Sequence, residues 1–181
     1  MHGLILAELQ RYIETNVGPW SWQEACRRAG VGRTSYTIWD TYPDTDLPAL
    51  VQAGSGVTGV PVPAMLEDFG AFMVPALMRV CARHVPDGWS AMDLLADTER
   101  PLQLATRLTG RSVTVPLLRA ERVSPRAVRI IYGSPRRMCG LARGIVRGIL
   151  AHYREIGAIR ETACMHDGAP HCEILVTRLA S

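Results

Sequence analysis

Tyr132-Gly133-Ser134-Pro135-Arg136 is the stretch on which the reading of this chain turns. Residues 127–132 before it read as a strand; after it, Met138, Leu141, Ile145, Ile149 and Tyr153 recur at the spacing of a long amphipathic helix. The junction therefore carries one tyrosine, one serine and one arginine on a strand-to-helix connection. Tyr-x-Ser-x-Arg offers two hydroxyls and a guanidinium fork to a common point. That set suits a carboxylate, because arginine bonds both oxygens while hydroxyls take the remaining lone pairs. The same residues also suit a plain strand end, a turn with Pro135 as first helical residue, and solvated arginines.

Outward from this junction the chain divides. Leu4, Ile5, Ala7, Leu9, Tyr12 and Ile13 predict a first helix stopping near Gly18-Pro19, and residues 22–29 a second ending at Gly30. Residues 31–46 are polar and turn-rich, with Tyr36, Trp39 and Tyr42 as expected packing anchors. Met65, Leu66, Phe69, Met73, Leu77 and Val80 predict a core helix kinked at Pro75, and another helix is expected after Trp89-Ser90. From Val113 the pattern changes. Residues 117–123 and 127–132 read as strands around Ser124-Pro125, and residues 159–165 and 172–179 as a closing hairpin around Asp167-Gly168. Helices first, then a small antiparallel sheet crossed by one helix, is an α+β arrangement.

At 181 residues and 48% hydrophobic content, the chain suits one domain, 1–181, with enough core to fold unaided. No apolar run reaches the ~18 residues of a membrane span, and His2, Glu8, Arg11 and Glu14 break any secretory pattern, so a cytoplasmic location is expected. The five cysteines (Cys26, Cys81, Cys139, Cys164, Cys172) then read as buried thiols or metal ligands before disulfides. All 20 basic residues are arginine, which excludes Schiff-base chemistry and a phosphate-loop lysine. With a net charge of +3 and no basic cluster interleaved with aromatics, nucleic acid is not an expected partner.

Further segments fall in a telling order: Met1-His2-Gly3-Leu4-Ile5 at the start, Leu66-Glu67-Asp68-Phe69-Gly70 opening the central helix, a helical stretch at 94–107, Pro116, the Tyr132/Ser134/Arg136 set, and residues 164–173 near the end. In that order and spacing they resemble the haem-nitric oxide/oxygen binding (H-NOX, or HNOB) family over essentially the whole chain. The resemblance implies an H-NOX-like α+β fold, with an N-terminal helical subdomain (1–62) and a ligand-pocket subdomain (63–181). It also implies a haem b between helices and sheet, its propionates clamped by Tyr132, Ser134 and Arg136 and its ring distorted by Pro116.

The iron ligand departs from the family. Counted back from Pro116, or forward from Thr98-Glu99, the family's histidine position falls on Gln103. An imidazole nitrogen donates strongly to iron, whereas an amide oxygen is weakly basic. Pro101 is a second departure, since proline inside a helix costs ~3 kcal/mol unless the helix already bends. The residues that would face a bound gas are Ile5, Leu9, Val74, Met78, Leu141 and Ile145, all apolar and all equally at home in an ordinary core. The tyrosine that stabilises oxygen in some members falls on Leu141, so nitric oxide or carbon monoxide is the expected gas if haem binds.

Three uses of the cavity stay open: haem held by clamp and pocket with iron ligated weakly or from elsewhere (His84 is nearest in sequence), a different carboxylate-bearing or hydrophobic small molecule, or no ligand. The matching roles are a sensor acting on a signalling protein such as a histidine kinase or cyclic-dinucleotide enzyme, an enzyme, or an interaction protein. Enzymatic chemistry would rest on His84, Glu99, Gln103, Tyr132 and Arg136, among which no nucleophile–base pair is legible.

Cys139-x24-Cys164-x-His166-x5-Cys172 offers three thiolates and one imidazole, a set that suits tetrahedral zinc. His171 and Glu161 are rival fourth ligands. The resemblance supports this expectation, since some bacterial members bind zinc through a Cys/His group in this region. Buried thiols beside a solvated turn, or an oxidisable thiol switch, are the other readings.

Overall fold

The computed structural model describes residues 2–99 and 116–179, so the expectations placed on Pro101 and Gln103 lie outside the described residues. Helix α1 (Gly3–Val17) opens on His2, whose side chain accepts the Leu4 N–H, and closes on Gly18. Helix α2 (Ser21–Ala29) stops at Gly30, which takes the left-handed conformation (φ 67°) that ends helices without Cβ strain. Helix α3 (Asp46–Thr58) was not legible in the sequence pattern, and α4 (Val62–Cys81) runs on through Pro75. Helix α5 (Ala91–Ala96) is opened by a reciprocal capping box between Ser90 and Asp93.

Strands β1 (Leu117–Ser124) and β2 (Ala127–Gly133) lead into helix α6 (Cys139–His152), and β3 (Gly157–Ala163) and β4 (Cys172–Arg178) close the fold. The sheet is antiparallel throughout, in the order β1-β2-β4-β3. This is the expected α+β architecture. Two expectations fail in detail. Trp39, read as a packing anchor, is 71% exposed, while Tyr36 is buried. Pro135 is not the first helical residue: residues 134–137 form a turn closed by the Arg137 N–H on the Ser134 carbonyl, and α6 begins only at Cys139.

The apolar residues gather into two large cores. One joins α1, α2 and α3 to the first half of α4, with Leu6, Leu9, Ile13, Trp22, Leu50 and Phe69 buried. The other joins α5, α6 and the sheet, with Leu95, Val128, Ile149, Ile174 and Val176 buried. Helix α4 contributes to both. It crosses α6 at a contact made of glycine: a Cβ at Gly70 would collide with the Leu141 carbonyl oxygen, and one at Gly144 with that of Glu67. No single helix among the described residues is long and apolar enough to cross a membrane.

Candidate functional site

Period-two alternation points Val128 and Ile130 of β2 into the second core and Tyr132, on the same face, into a smaller third cluster with Cys139, Cys164, Met165 and Cys172. Tyr132 lies beside Leu118 of β1 and Cys172 of β4. Burial pushes its phenol pKa upward, against the opposing effect of a hydrogen bond with the Ser134 hydroxyl. Ser134 is itself buried, and its Oγ accepts the Arg136 N–H at 3.3 Å. Arg137 takes a left-handed conformation (φ 48°), which turns the chain into α6. The Arg136 side chain is 13% exposed and places Nη1 2.8 Å from Oδ1 of Asp44, in the loop between α2 and α3.

Tyr132 bonds Ser134 and Ser134 accepts the Arg136 backbone N–H, while the Arg136 guanidinium reaches across to Asp44. The guanidinium there already holds a carboxylate. A guanidinium carries five donors, so one arginine can serve two carboxylates. The donor set fits haem propionates at this end. Pro116, half-buried, stands directly before β1 on the same side of the sheet. Gln103 is outside the described residues.

The six expected pocket residues fall in the two cores. Leu9 is fully buried in the first, with Ile5 and Leu141 packed against it; Val74 is buried in the second, with Met78 against it. Ile145 touches both. Of the residues weighed for enzymatic chemistry, Glu99 is engaged structurally, its carboxylate accepting the Ala120 N–H at 3.3 Å. His84 sits half-buried in the single 3-10 turn after α4.

The second constellation is the thiol group. Cys139 opens α6, Cys172 opens β4 and Cys164 follows β3, and all three are buried. Their Sγ atoms are 2.9 Å apart for Cys139 and Cys172, and 3.8 Å for Cys164 and Cys172. Burial pushes both the Cys139 and the Cys172 thiol pKa up. The fourth group here is Glu161: its carboxylate and the three sulfurs all lie within 4.8 Å of one another. His166 is exposed and donates from Nε2 to the Arg137 carbonyl at 2.9 Å, while His171 lies 3.7 Å from Glu173. Strand alternation is the signal that favours Glu161, since it pairs with buried Ile174 on the inward face, as Ile159 pairs with Val176.

The sequence profile described as Haem-NO-binding matches residues 2–161. No curated protein matches the sequence. Among solved structures, the fold is similar to an H-NOX protein of S. oneidensis in the Fe(II)NO state, with a TM-score of 0.90 at 22% identity, covering 99% of this chain and 100% of that one. An H-NOX domain of Shewanella oneidensis in the Fe(II)CO state gives a TM-score of 0.88 at 22% identity, covering 100% of both chains. The Fe(II) unliganded H-NOX protein of K. algicida gives 0.87 at 18% identity, covering 100% of this chain and 98% of that one.

Proposed function

The chain belongs to the haem-NO-binding family, and we propose on that premise that it is a ligand-binding sensor domain with an altered haem site, its propionate clamp kept and its axial histidine absent. The observation that supports this reading is the buried Tyr132–Ser134 hydrogen bond beside Arg136, whose guanidinium already engages a carboxylate. Haem b, when bound, supplies the iron that takes a diatomic gas. Arg136 would hold its propionate oxygens, with Ser134 and Tyr132 offering the further hydroxyl donors. Ile5, Leu9, Val74, Met78, Leu141 and Ile145 would face the gas and exclude water. None of these six offers a hydrogen bond, so nitric oxide or carbon monoxide is favoured over oxygen, whose bound form gains from a donor. With Gln103 at the histidine position, a bound iron would have to be held weakly by its amide or by a ligand from elsewhere. A signalling protein is the partner that reads the change of shape.

An absorption spectrum of protein made with added haem precursor, beside Gln103→His and Arg136→Ala variants, tests this reading. A Soret band in the wild type that shifts with nitric oxide and fades in Arg136→Ala is the expected result. A colourless wild type with a coloured Gln103→His variant would replace haem sensing by capture of another carboxylate-bearing or hydrophobic ligand. If both stay colourless, the sensor reading fails and a ligand-free interaction protein takes its place.

A further inference from the structure

We propose that the free edge of β3, residues 157–161, is a docking site for an extended acidic segment of a partner protein, which adds a strand to the outside of the sheet. In the order β1-β2-β4-β3 this strand is paired on one side only. The register fixes which of its backbone groups are spare. The Leu179 N–H bonds the Ile156 carbonyl at 2.9 Å, and the Arg178 N–H turns away to the Arg126 carbonyl at 2.8 Å. Residues of an antiparallel pair alternate between bonded and non-bonded positions. Ala158 and Arg160, opposite Thr177 and Leu175, therefore bond β4, whereas the N–H and C=O groups of Gly157, Ile159 and Glu161 point to the open edge. No loop or cap of the described residues takes them up.

Spare ladder groups are a template for another strand, and sheets commonly blunt them. The opposite edge is blunted: Arg122 of β1 binds Asp93 beside α5 at 2.6 Å, and the register is irregular between Arg122 and Ser124. On β3 such devices stand only at the far end, where Arg143 holds Glu161 at 2.6 Å and the register shifts between Glu161 and Ala163. The near end lacks them. There a groove of about 430 Å³ lies beside the strand, lined by Leu150 and Ala151 of α6 and by Ile156, Gly157 and Ile159. Ile156 is 69% exposed. A strand added here would place every second side chain on the face of Ile159, over this apolar groove.

Charge selects the occupant. Arg154 and Arg160 are exposed and engage no carboxylate among the described residues. The neighbouring acids are taken: Glu155 accepts the Ala91 N–H at 2.9 Å, Glu161 is held by Arg143, and Glu173, diagonal to Arg160, accepts from the Thr162 hydroxyl at 3.3 Å. Arg147, which also borders the groove, is bound to Asp68 at 2.7 Å. The free charge along the edge is thus positive, and a segment with acidic outward residues and apolar inward ones complements it. A second copy of β3 would instead bring further arginine to the same edge.

The test needs no haem, so it stands apart from the sensor reading. Isotope-labelled, full-length protein is titrated with a blocked peptide of alternating valine and glutamate, about six residues long, and amide exchange and peptide affinity are read together. In the free protein the amides of Ala158 and Arg160 should exchange slowly, and those of Gly157, Ile159 and Glu161 fast. The peptide should slow the second set. Replacing its glutamates by lysine should weaken binding about tenfold. Arg160→Glu, a change at an exposed position, should invert the preference between the two peptides, and Ile156→Ser should weaken both. Binding that leaves the three amides fast, equal affinity for the two peptides, or no binding at all would overturn the proposal. So would protection of the three amides that grows with protein concentration in the absence of peptide, because a second copy would then occupy the edge.

Discussion

At the first turn of α1, the His2 Nδ1 accepts the Leu4 N–H at 3.1 Å, one of the helix-opening donors that has no intrahelical partner. Accepting there requires a ring with its proton on Nε2. Burial lowers the His2 pKa below its ordinary 6.5, so the folded chain resists the proton that would destroy the acceptor. The unfolded chain takes that proton up at 6.5, and stability rises with pH wherever the unfolded state binds more protons. Stability should therefore fall as pH drops below 6.5 and level off once the depressed folded value is passed. His2→Asn keeps a capping oxygen and removes the titration. Melting temperatures at pH 7.5 and 5.5 should show a smaller loss in His2→Asn than in the wild type. Equal losses would mean that His2 does not couple folding to protons. A second residue-scale contrast lies between two tryptophans. Trp22 is 1% exposed and donates its indole N–H to the Thr34 carbonyl at 2.7 Å, whereas Trp39 stands in solvent.

Among the elements, the α4–α6 crossing is the tightest contact, and glycine is its cause. A Cβ at Gly144 would collide with the Glu67 backbone carbonyl, which cannot yield without moving a helix, whereas one at Gly140 meets the Leu66 Cβ at 3.1 Å. Gly144→Ala should cost about 1–3 kcal/mol or more from overpacking. In Gly140→Ala the milder crowding is offset by the helix propensity of alanine, about 1 kcal/mol. Urea midpoints for the two variants test this; equal midpoints would mean that the crossing relaxes freely. This contact also marks a limit of sequence reading. The apolar stripe of α6 was legible from Met138, Leu141, Ile145 and Ile149, but the meaning of Gly140, Gly144 and Gly148 depends on which helix lies opposite. Helix α3 escaped for another reason: Pro48, Gly54 and Gly56 argue against a helix by propensity. Tertiary burial of Leu47, Leu50 and Val51 overrides it, and Pro48 sits in the first turn, where no N–H is needed. The grouping of Tyr132, Ser134 and Arg136 at one strand end was legible because the three lie within five positions. The closeness of Glu161 to the three sulfurs follows from strand register, which spacing along the chain does not reveal.

At the scale of the whole molecule, the two cores are not two independent bodies. Helix α4 buries Met65, Phe69 and Met73 in the first and Val74 in the second, and Ile145 of α6 packs against both. A division of the chain at residues 62 and 63 therefore leaves the first core without the helix face that closes it. The Tyr132 cluster adjoins the second core through Leu118 and Ala142, and the second core shares α4 with the first. Cooperative unfolding follows from this sharing. Ile174→Ala, a large-to-small change at a fully buried position of β4, should cost about 2–5 kcal/mol. Three of the four tryptophans, Trp20, Trp22 and Trp39, belong to the N-terminal helical part, so intrinsic fluorescence reports largely on the first core. In a urea titration of Ile174→Ala, fluorescence and far-ultraviolet circular dichroism should shift together and by the same amount, because destabilising the sheet removes the support of α4 on which the first core closes. A fluorescence transition that stays at its wild-type midpoint while circular dichroism moves would show the N-terminal helices folding by themselves.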